Sequence, residues 1–217
     1  MKGGNIMGSV TFLTNLDKAE IGSRLADLEY VPIEIISFTN NVGTVEIGST
    51  IKSVVFEWKL NKRAEKQNIG SMSVSAILSN YMQSGLNVTQ NTSWTLRVSD
   101  ERSRTVEKTT SITFLNGVYY GVAESVETID SNFVLGLSKT LTSTKSRTIN
   151  VTADSGQHIY YCVPTRFGTC NFNVGGFDGG FEKVTTFDFT NSFSYTESYD
   201  VYKSSNSGLG STTIKIT

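Results

Sequence analysis

The sequence predicts an all-β fold: two tandem β-sandwich domains, the first immunoglobulin-like and the second jelly-roll-like or immunoglobulin-like, behind a short helical or extended N-terminal segment. Three observations carry that expectation. Apolar and polar residues alternate with period two in many short runs, the pattern of strands with one buried face. The turns between the runs rest on glycine and asparagine, with 19 Gly against 2 Pro. The composition is 38% apolar and only 18% charged, so Ser, Thr and Asn must supply the water-facing positions of sheets. With 217 residues the chain can bury two modest cores, and the expected division is residues 1–37 as an anchoring segment, 38–115 as the first sandwich and 116–217 as the second.

At the N-terminus, Thr14 with Asp17 three residues on reads as a helix start, and a helix is expected over Asn15 to Leu28. Ile21, Leu25 and Leu28 share one face, and Leu16 is grouped with them as an oligomerising or docking seam. Gly22 and Ser23 weaken that helix. Pro32 then opens an extended connector through Phe38. The clearest strand of the first half places Val54, Phe56, Trp58 and Leu60 opposite Ser53, Val55, Glu57 and Lys59. Trp58 and Trp94 fall on apolar parities and are expected as core pillars. Further strands are read at Met72 to Ile77 and Leu86 to Val88.

From Trp94 to Val122 the text forms a hairpin around Asp100 to Arg104 that runs into the next domain. A sharp change of direction is expected at Asn116 and Gly117. Strands then follow at Val118 to Val122, Asn132 to Gly136, Arg147 to Thr152, His158 to Val163, Thr169 to Val174, Lys183 to Phe189, Ser198 to Lys203 and Thr212 to Ile216, with GGFDGGF at 175–181 as a turn. After Asn116 lie 15 Phe and Tyr residues, more than one core between two sheets needs. Tyr119, Tyr120, Phe177 and Phe181 are the residues assigned to face a ligand or partner.

The charge pattern argues against a nucleic-acid footprint: net charge is −1, with 12 Lys/Arg against 11 Asp/Glu in residues 1–115 and 7 against 9 in residues 116–217, so neither half is a basic patch. No run is long and apolar enough to span a bilayer, and the first residues lack the apolar core of a secretory leader, so synthesis and retention in the cytoplasm are expected. Cys162 and Cys170 lie on strands expected to pair through Thr165 to Gly168; they are within reach of a disulfide in such a hairpin, and reduced thiols are the preferred reading. Two sulfurs without a neighbouring His make no zinc site. His158, the only histidine, sits in a strand with no nucleophile motif around it and reads as a strand residue. Asp178 with Glu182 is the carboxylate pair to examine for glycoside cleavage, although turn and surface acids are the simpler reading. No catalytic, cofactor or metal residue is assigned.

The runs VEIGSTIKSVVFEWKLNK, WTLRVSDERSRTVEKTTSITFLNGVYYGV, QHIYYCVPTRFGTCNFNVGGFDGGFEKV and FTNSFSYTESYDVYKSSNSGLGSTTI resemble the modular β proteins of tailed-bacteriophage virions, notably fibre-like and baseplate-associated proteins of phages of gut bacteria. The resemblance extends from about Phe38 to Thr217 and lies in texture and phrase order, without a catalytic signature. It implies a non-enzymatic virion component assembled in the host cytoplasm, homo-oligomeric and often trimeric, bound to other virion proteins at its N-terminal end and able to meet a host-surface glycan. It also implies glycine where Ser103 stands, because the hairpin backbone there is left-handed. A stand-alone carbohydrate-binding or adhesion module is the competing expectation, and a glycosidase the third.

Overall fold

A computed structural model describes residues 16–217, with side chains from residue 19 onward. The expected helix start at Thr14 and the side chain of Leu16 lie outside the described residues. The helix itself, α1, spans Leu16–Glu29, and every later regular element is a strand except one short α-helix and a single 3-10 turn at Thr165–Phe167.

The first sandwich is built from β1 (Ile35–Asn40), β2 (Thr44–Glu46), β3 (Ile51–Leu60), β4 (Lys66–Ile69), β5 (Met72–Val74), β6 (Asn80–Val88), β7 (Thr92–Ser99) and the first part of β8 (Thr105–Glu124). One sheet has the order β1-β3-β6, and the facing one runs β5-β4-β7-β8 with β2 parallel to β8. The chain therefore crosses between sheets after β1, β2, β3, β5 and β6, the connectivity of an immunoglobulin-like sandwich. Phe38, Val54, Phe56 and Trp58 from one sheet meet Ile69, Leu96, Val98, Ile112 and Phe114 from the other. Alternation makes this core: in β3 the inward residues Val54, Phe56 and Trp58 are buried, while Glu57 and Lys59 are exposed. Each such large side chain, fully buried, contributes roughly 1.5–3 kcal/mol.

β8 is 20 residues long, about 65 Å at the usual rise, and belongs to both halves of the molecule. It pairs with β7 through Ile112, with β2 through Leu115, and from Asn116 onward with β9 (Ser138–Thr142) and β11 (Gln157–Pro164). The expected change of direction at Asn116 and Gly117 does not occur. Gly117 serves packing instead: a Cβ there would sit 2.7 Å from the Tyr119 ring.

The second sandwich sets β14 (Phe181–Thr190), β15 (Thr196–Ser204), β11, β8 and β9 against β10 (Arg147–Ala153), β16 (Gly210–Ile216), β12 (Phe172–Val174) and β13 (Phe177–Asp178). Between the sheets lie Val118, Ile149, Ile159, Tyr161, Val163, Phe172, Tyr202, Ile214 and Ile216. The outer face of the larger sheet carries another core: Tyr119, Tyr160, Cys162, Phe189, Tyr199 and Val201, covered by Ile129, Phe133, Val134 and Leu137. The covering segment holds α2 (Ser131–Leu135), where a strand is expected from the sequence. Asp130 explains the difference, since its carboxylate accepts the Phe133 N–H at 2.8 Å and caps a helical turn. The surplus of aromatic residues thus fills a third layer of packing. β11 is accordingly buried on both faces from Ile159 to Pro164.

The expected β11 hairpin through Thr165 to Gly168 is also corrected. β11 pairs with β8 and β15, and β12 pairs with β16 and β13. Cys162 and Cys170 are both free and belong to different cores, Cys162 outside the sheet and Cys170 between the sheets. Burial pushes the Cys162 thiol far above its ordinary range and the Cys170 thiol up to about 11.

Candidate functional site

The surfaces able to carry function are the N-terminal end, the junction between the sandwiches and a basin at the C-terminal sheet. The same turn geometry organises the first two. At Asp100–Arg104, between β7 and β8, the Asp100 N–H donates to the Arg104 carbonyl and the Ser103 N–H to the Asp100 carbonyl. Asp100 Oδ1 accepts the N–H groups of Arg102 and Arg104, and Ser103 has φ 62°. At Asn191–Tyr195, between β14 and β15, every one of these contacts recurs: Asn191 with Tyr195, Ser194 with Asn191, and Asn191 Oδ1 with the N–H groups of Phe193 and Tyr195. Ser194 also has φ 62°.

Each turn uses its remaining side-chain atom to hold a neighbour. Asp100 Oδ2 accepts the Tyr30 hydroxyl at 2.6 Å and the Ile33 N–H at 3.3 Å, which fixes the connector after α1. Lys62 lies 3.6 Å away. Burial works against the Asp100 charge, but the Tyr30 hydroxyl and the N–H groups of Ile33, Arg104 and Arg102 outweigh it and hold the carboxyl at about 2. Arg102, from the same turn, stacks over the Tyr30 ring at 4.1 Å, pairs with Asp27 at 2.7 Å and donates to the Ala26 carbonyl. The C-terminal end of α1 is thereby held to the first sandwich. Its apolar stripe is not covered: Ile21, Leu25 and Leu28 are 63%, 53% and 85% exposed.

Asn191 Nδ2 donates to the Ile47 carbonyl at 2.8 Å, tying the second sandwich to the turn after β2 in the first. Gly48 completes that approach. It has φ 92°, and a Cβ on it would lie 2.5 Å from Tyr195 Cβ. Beside it, buried Glu46 accepts the Tyr119 hydroxyl at 2.8 Å and faces Lys139 at 2.6 Å. Arg166 reaches both Glu197 and Asn116, and Asn116 also donates to Glu197. The junction therefore combines one continuous strand with two polar contacts that cross it, Asn191 to Ile47 and Glu46 to Tyr119 and Lys139, beside the Arg166, Glu197 and Asn116 cluster on the second-sandwich side.

Tyr119, assigned from the sequence to a ligand, is a junction residue. It is 1% exposed, and burial together with the Glu46 hydrogen bond raises its pKa well above the ordinary tyrosine range. The reason is the period of β8, which turns Tyr119 into the outer core and Tyr120 toward the inner one. Tyr120 is half-buried, with the Arg147 guanidinium 5.6 Å from its ring. Phe177 is 81% exposed at the tip of the β12–β13 hairpin. Phe181 stacks face to face on Phe172 at 4.2 Å.

Phe181 also borders a basin of about 730 Å³ lined by Asn171, Phe172, Asn173, Asp178, Lys215 and Thr217 among others. Asp178 accepts from Asn173 at 2.7 Å. Glu182 stands opposite Lys203 in the β14–β15 ladder and does not line the basin, so the structure does not bring the carboxylate pair together there. The basin offers amide donors and acceptors, one carboxylate and one ammonium beside an aromatic edge, a set suited to neutral polyhydroxyl ligands. His158 stays a strand residue, its Nδ1 2.8 Å from the Ser204 carbonyl. Among the described residues no group of three or more His, Cys, Asp and Glu is placed to hold a metal ion.

Sequence reasoning missed Asp100, Asn191, Glu46, Gly48 and the basin residues Asn171 and Lys215. One signal was present: DERSR and NSFSY share an Asx at the first position and Ser at the fourth, between alternating runs.

No protein-family model and no curated protein sequence matches this chain. Among solved structures, the titin fragment A168169 is similar at 9% identity over 82% of this chain and 85% of that one, with a TM-score of 0.28. The N-terminal eight immunoglobulin domains of Down syndrome cell adhesion molecule, isoform 1.30.30, are similar at 7% identity over 79% of this chain and 22% of that one, with a TM-score of 0.26.

Proposed function

We propose that this chain is a non-enzymatic structural component of a tailed-phage virion, held through its N-terminal end and presenting the second sandwich outward. The observation that supports the reading is the sharing of β8 by both sandwiches, reinforced by the Asn191 clasp and the Glu46 cluster. Two domains on a flexible linker move independently by default. A strand common to both sheets leaves no linker, so the position of the anchored end is transmitted to the far end, as a spacer on a particle requires. The sequence resemblance supplies the virion context. Immunogold labelling of gradient-purified particles with antibody against this chain tests it: label at a fixed particle position is expected, and label confined to the unassembled lysate fraction would overturn it.

A second reading, a carbohydrate-binding module, is favoured by the basin beside Phe181. Glycan-array binding by the full chain that Phe181→Ala and Asn173→Ala abolish would support it; an array without binding removes it and leaves the structural reading standing.

A further inference from the structure

We propose that the first sandwich carries a binding site for the C-terminal end of a peptide with apolar last residues, seated between Trp58, Gln67 and the turn that leads into β6. The inference goes beyond the virion reading and holds or fails independently of it.

The site begins with a residue that hydrophobic patterning does not explain. In β4 the inward positions are Gln67 and Ile69, and Gln67 is 1% exposed. A buried amide is costly unless its groups find partners. Gln67 Nε2 donates to the Ser75 carbonyl at 3.2 Å and to the Leu78 carbonyl at 3.1 Å, which ties down the turn between β5 and β6. Those carbonyls also fix which way the amide points, since turning it over would set oxygen against oxygen. Gln67 Oε1 is left without a partner among the described residues. So is the indole Nε1 of Trp58, a side chain 4% exposed on β3. Both residues line one pocket of about 380 Å³. A buried donor and a buried acceptor left unmatched both cost stability, and one ligand group that accepts and donates would serve the two together.

The remaining walls decide the ligand class. Leu60, Ile77 and Leu78 supply apolar surface, and Ile77 and Leu78 are 72% and 42% exposed. Lys59, Lys62 and Arg63 supply charge. Lys62 is committed to Glu101 at 2.8 Å and Asp100 at 3.6 Å. Lys59 and Arg63 are exposed and form no salt bridge among the described residues, and the neighbouring acids Glu57 and Glu65 lie outside the lining. The ligand must therefore combine a polar group that accepts and donates, an apolar side chain and a negative end. A fatty acid brings the anion and the apolar chain but no donor for Gln67 Oε1. The end of a peptide brings all of them: the carbonyl of its last peptide unit for the Trp58 indole, the N–H of that unit for Gln67, side chains for Ile77 and Leu78, and a carboxylate for Lys59 and Arg63. The pocket is at the small end of the range for ligand sites, room for a chain end and not for a folded partner.

Titration of the full chain with N-acetyl-leucyl-leucine as the free acid tests this, read from the indole N–H signals of its 2 tryptophans in a proton-nitrogen correlation spectrum. Trp94→Phe identifies the Trp58 signal as the one that survives. That signal should move downfield as the indole gains an acceptor and should saturate with a Kd of about 0.1 mM, while the Trp94 signal stays in place. Capping the probe's carboxylate as an amide should weaken binding about tenfold, and methylating its last peptide nitrogen should do the same. Lys59→Ala combined with Arg63→Ala should also cost about tenfold in affinity. That variant should melt with the parent, because both side chains stand outside the core, so its loss cannot come from unfolding. A Trp58 signal unmoved by about 10 mM probe, a hundred times the expected Kd, overturns the proposal. So does undiminished binding of the capped probe, of the methylated probe, or of the free acid to the double variant.

Discussion

The turns at Asp100–Arg104 and Asn191–Tyr195 are one backbone device in two sandwiches, and they differ where it matters in a single group. Both spend one side-chain oxygen on the turn's own N–H groups. The remaining atom faces opposite needs. Around Asp100 the neighbours are donors, the Tyr30 hydroxyl and the Ile33 N–H, so a second acceptor is required and aspartate supplies it. Around Asn191 the neighbour is the Ile47 carbonyl, so a donor is required and the amide supplies it. Residue choice follows from hydrogen-bond inventory: one turn holds the N-terminal connector, and the other holds the two sandwiches together.

The largest expected effect comes from obstructing the second clasp. Gly48→Ala imposes a side chain on a left-handed backbone and drives its Cβ to 2.5 Å from Tyr195 Cβ. Backbone strain of about 1–2 kcal/mol and overpacking of about 1–3 kcal/mol together lower unfolding stability by about 3 kcal/mol in urea titration. An unchanged midpoint would mean that the Gly48 and Tyr195 turns do not touch in solution.

Exchanging the two Asx residues sharpens the comparison further. Asn191→Asp sets a carboxylate oxygen against the Ile47 carbonyl, and the loss should be about 1–3 kcal/mol at pH 7. The deficit should shrink as pH falls below about 4, where the new carboxyl is protonated and can donate. A variant as stable as the parent at neutral pH would show that the amide does not hold the junction.

At the first turn the prediction is one of pH. The Asp100 carboxyl is lowered from 3.8 to about 2 in the folded chain. A depressed folded value contributes stability that is complete above the unfolded value and is lost as pH falls through the folded one. The melting temperature of the parent should therefore drop from pH 4 toward pH 2 more steeply than that of Asp100→Asn. Tyr30, whose hydroxyl is raised by its hydrogen bond to Asp100, should ionise at lower pH in that variant, as read by tyrosinate absorbance. Parallel acid limbs would show that the clasp does not distinguish the folded from the unfolded chain.

What the residues disclosed, and what they concealed, follows the same physics. β3 and β7 were legible because one face is buried and one wet, which writes Val54, Phe56 and Trp58 against Glu57 and Lys59 as clean alternation. The outer core of the second sandwich was not, because β11 is buried on both faces and its unbroken run IYYCV carries no period. Asn132 to Gly136 looked like a strand for want of weight given to Asp130 as a cap. The junction was invisible for a different reason: Asn191 and Ile47 are 144 positions apart, and no local pattern reports a contact that only the packed sheets create. The stripe on α1 needed nothing beyond helical spacing.

The smallest expected effect is the most even test of the two turns, because it asks the same question of each. Ser103 and Ser194 are the only described non-glycine residues with positive φ, both at 62° and both exposed. Relief of the left-handed strain by glycine is worth about 1–2 kcal/mol, while the freedom glycine adds to the unfolded chain costs about 0.5–1 kcal/mol. The first term wins by about 0.5–1 kcal/mol, roughly 2 °C in melting temperature for a chain of this size. Ser103→Gly and Ser194→Gly should each gain that amount, and the double variant should gain their sum, since the turns lie at opposite ends of different hairpins and share no partner. A gain at one turn with a loss at the other would mean that the matched hydrogen bonds conceal different backbones, and the equivalence from which the Asp and Asn roles were argued would fall with it.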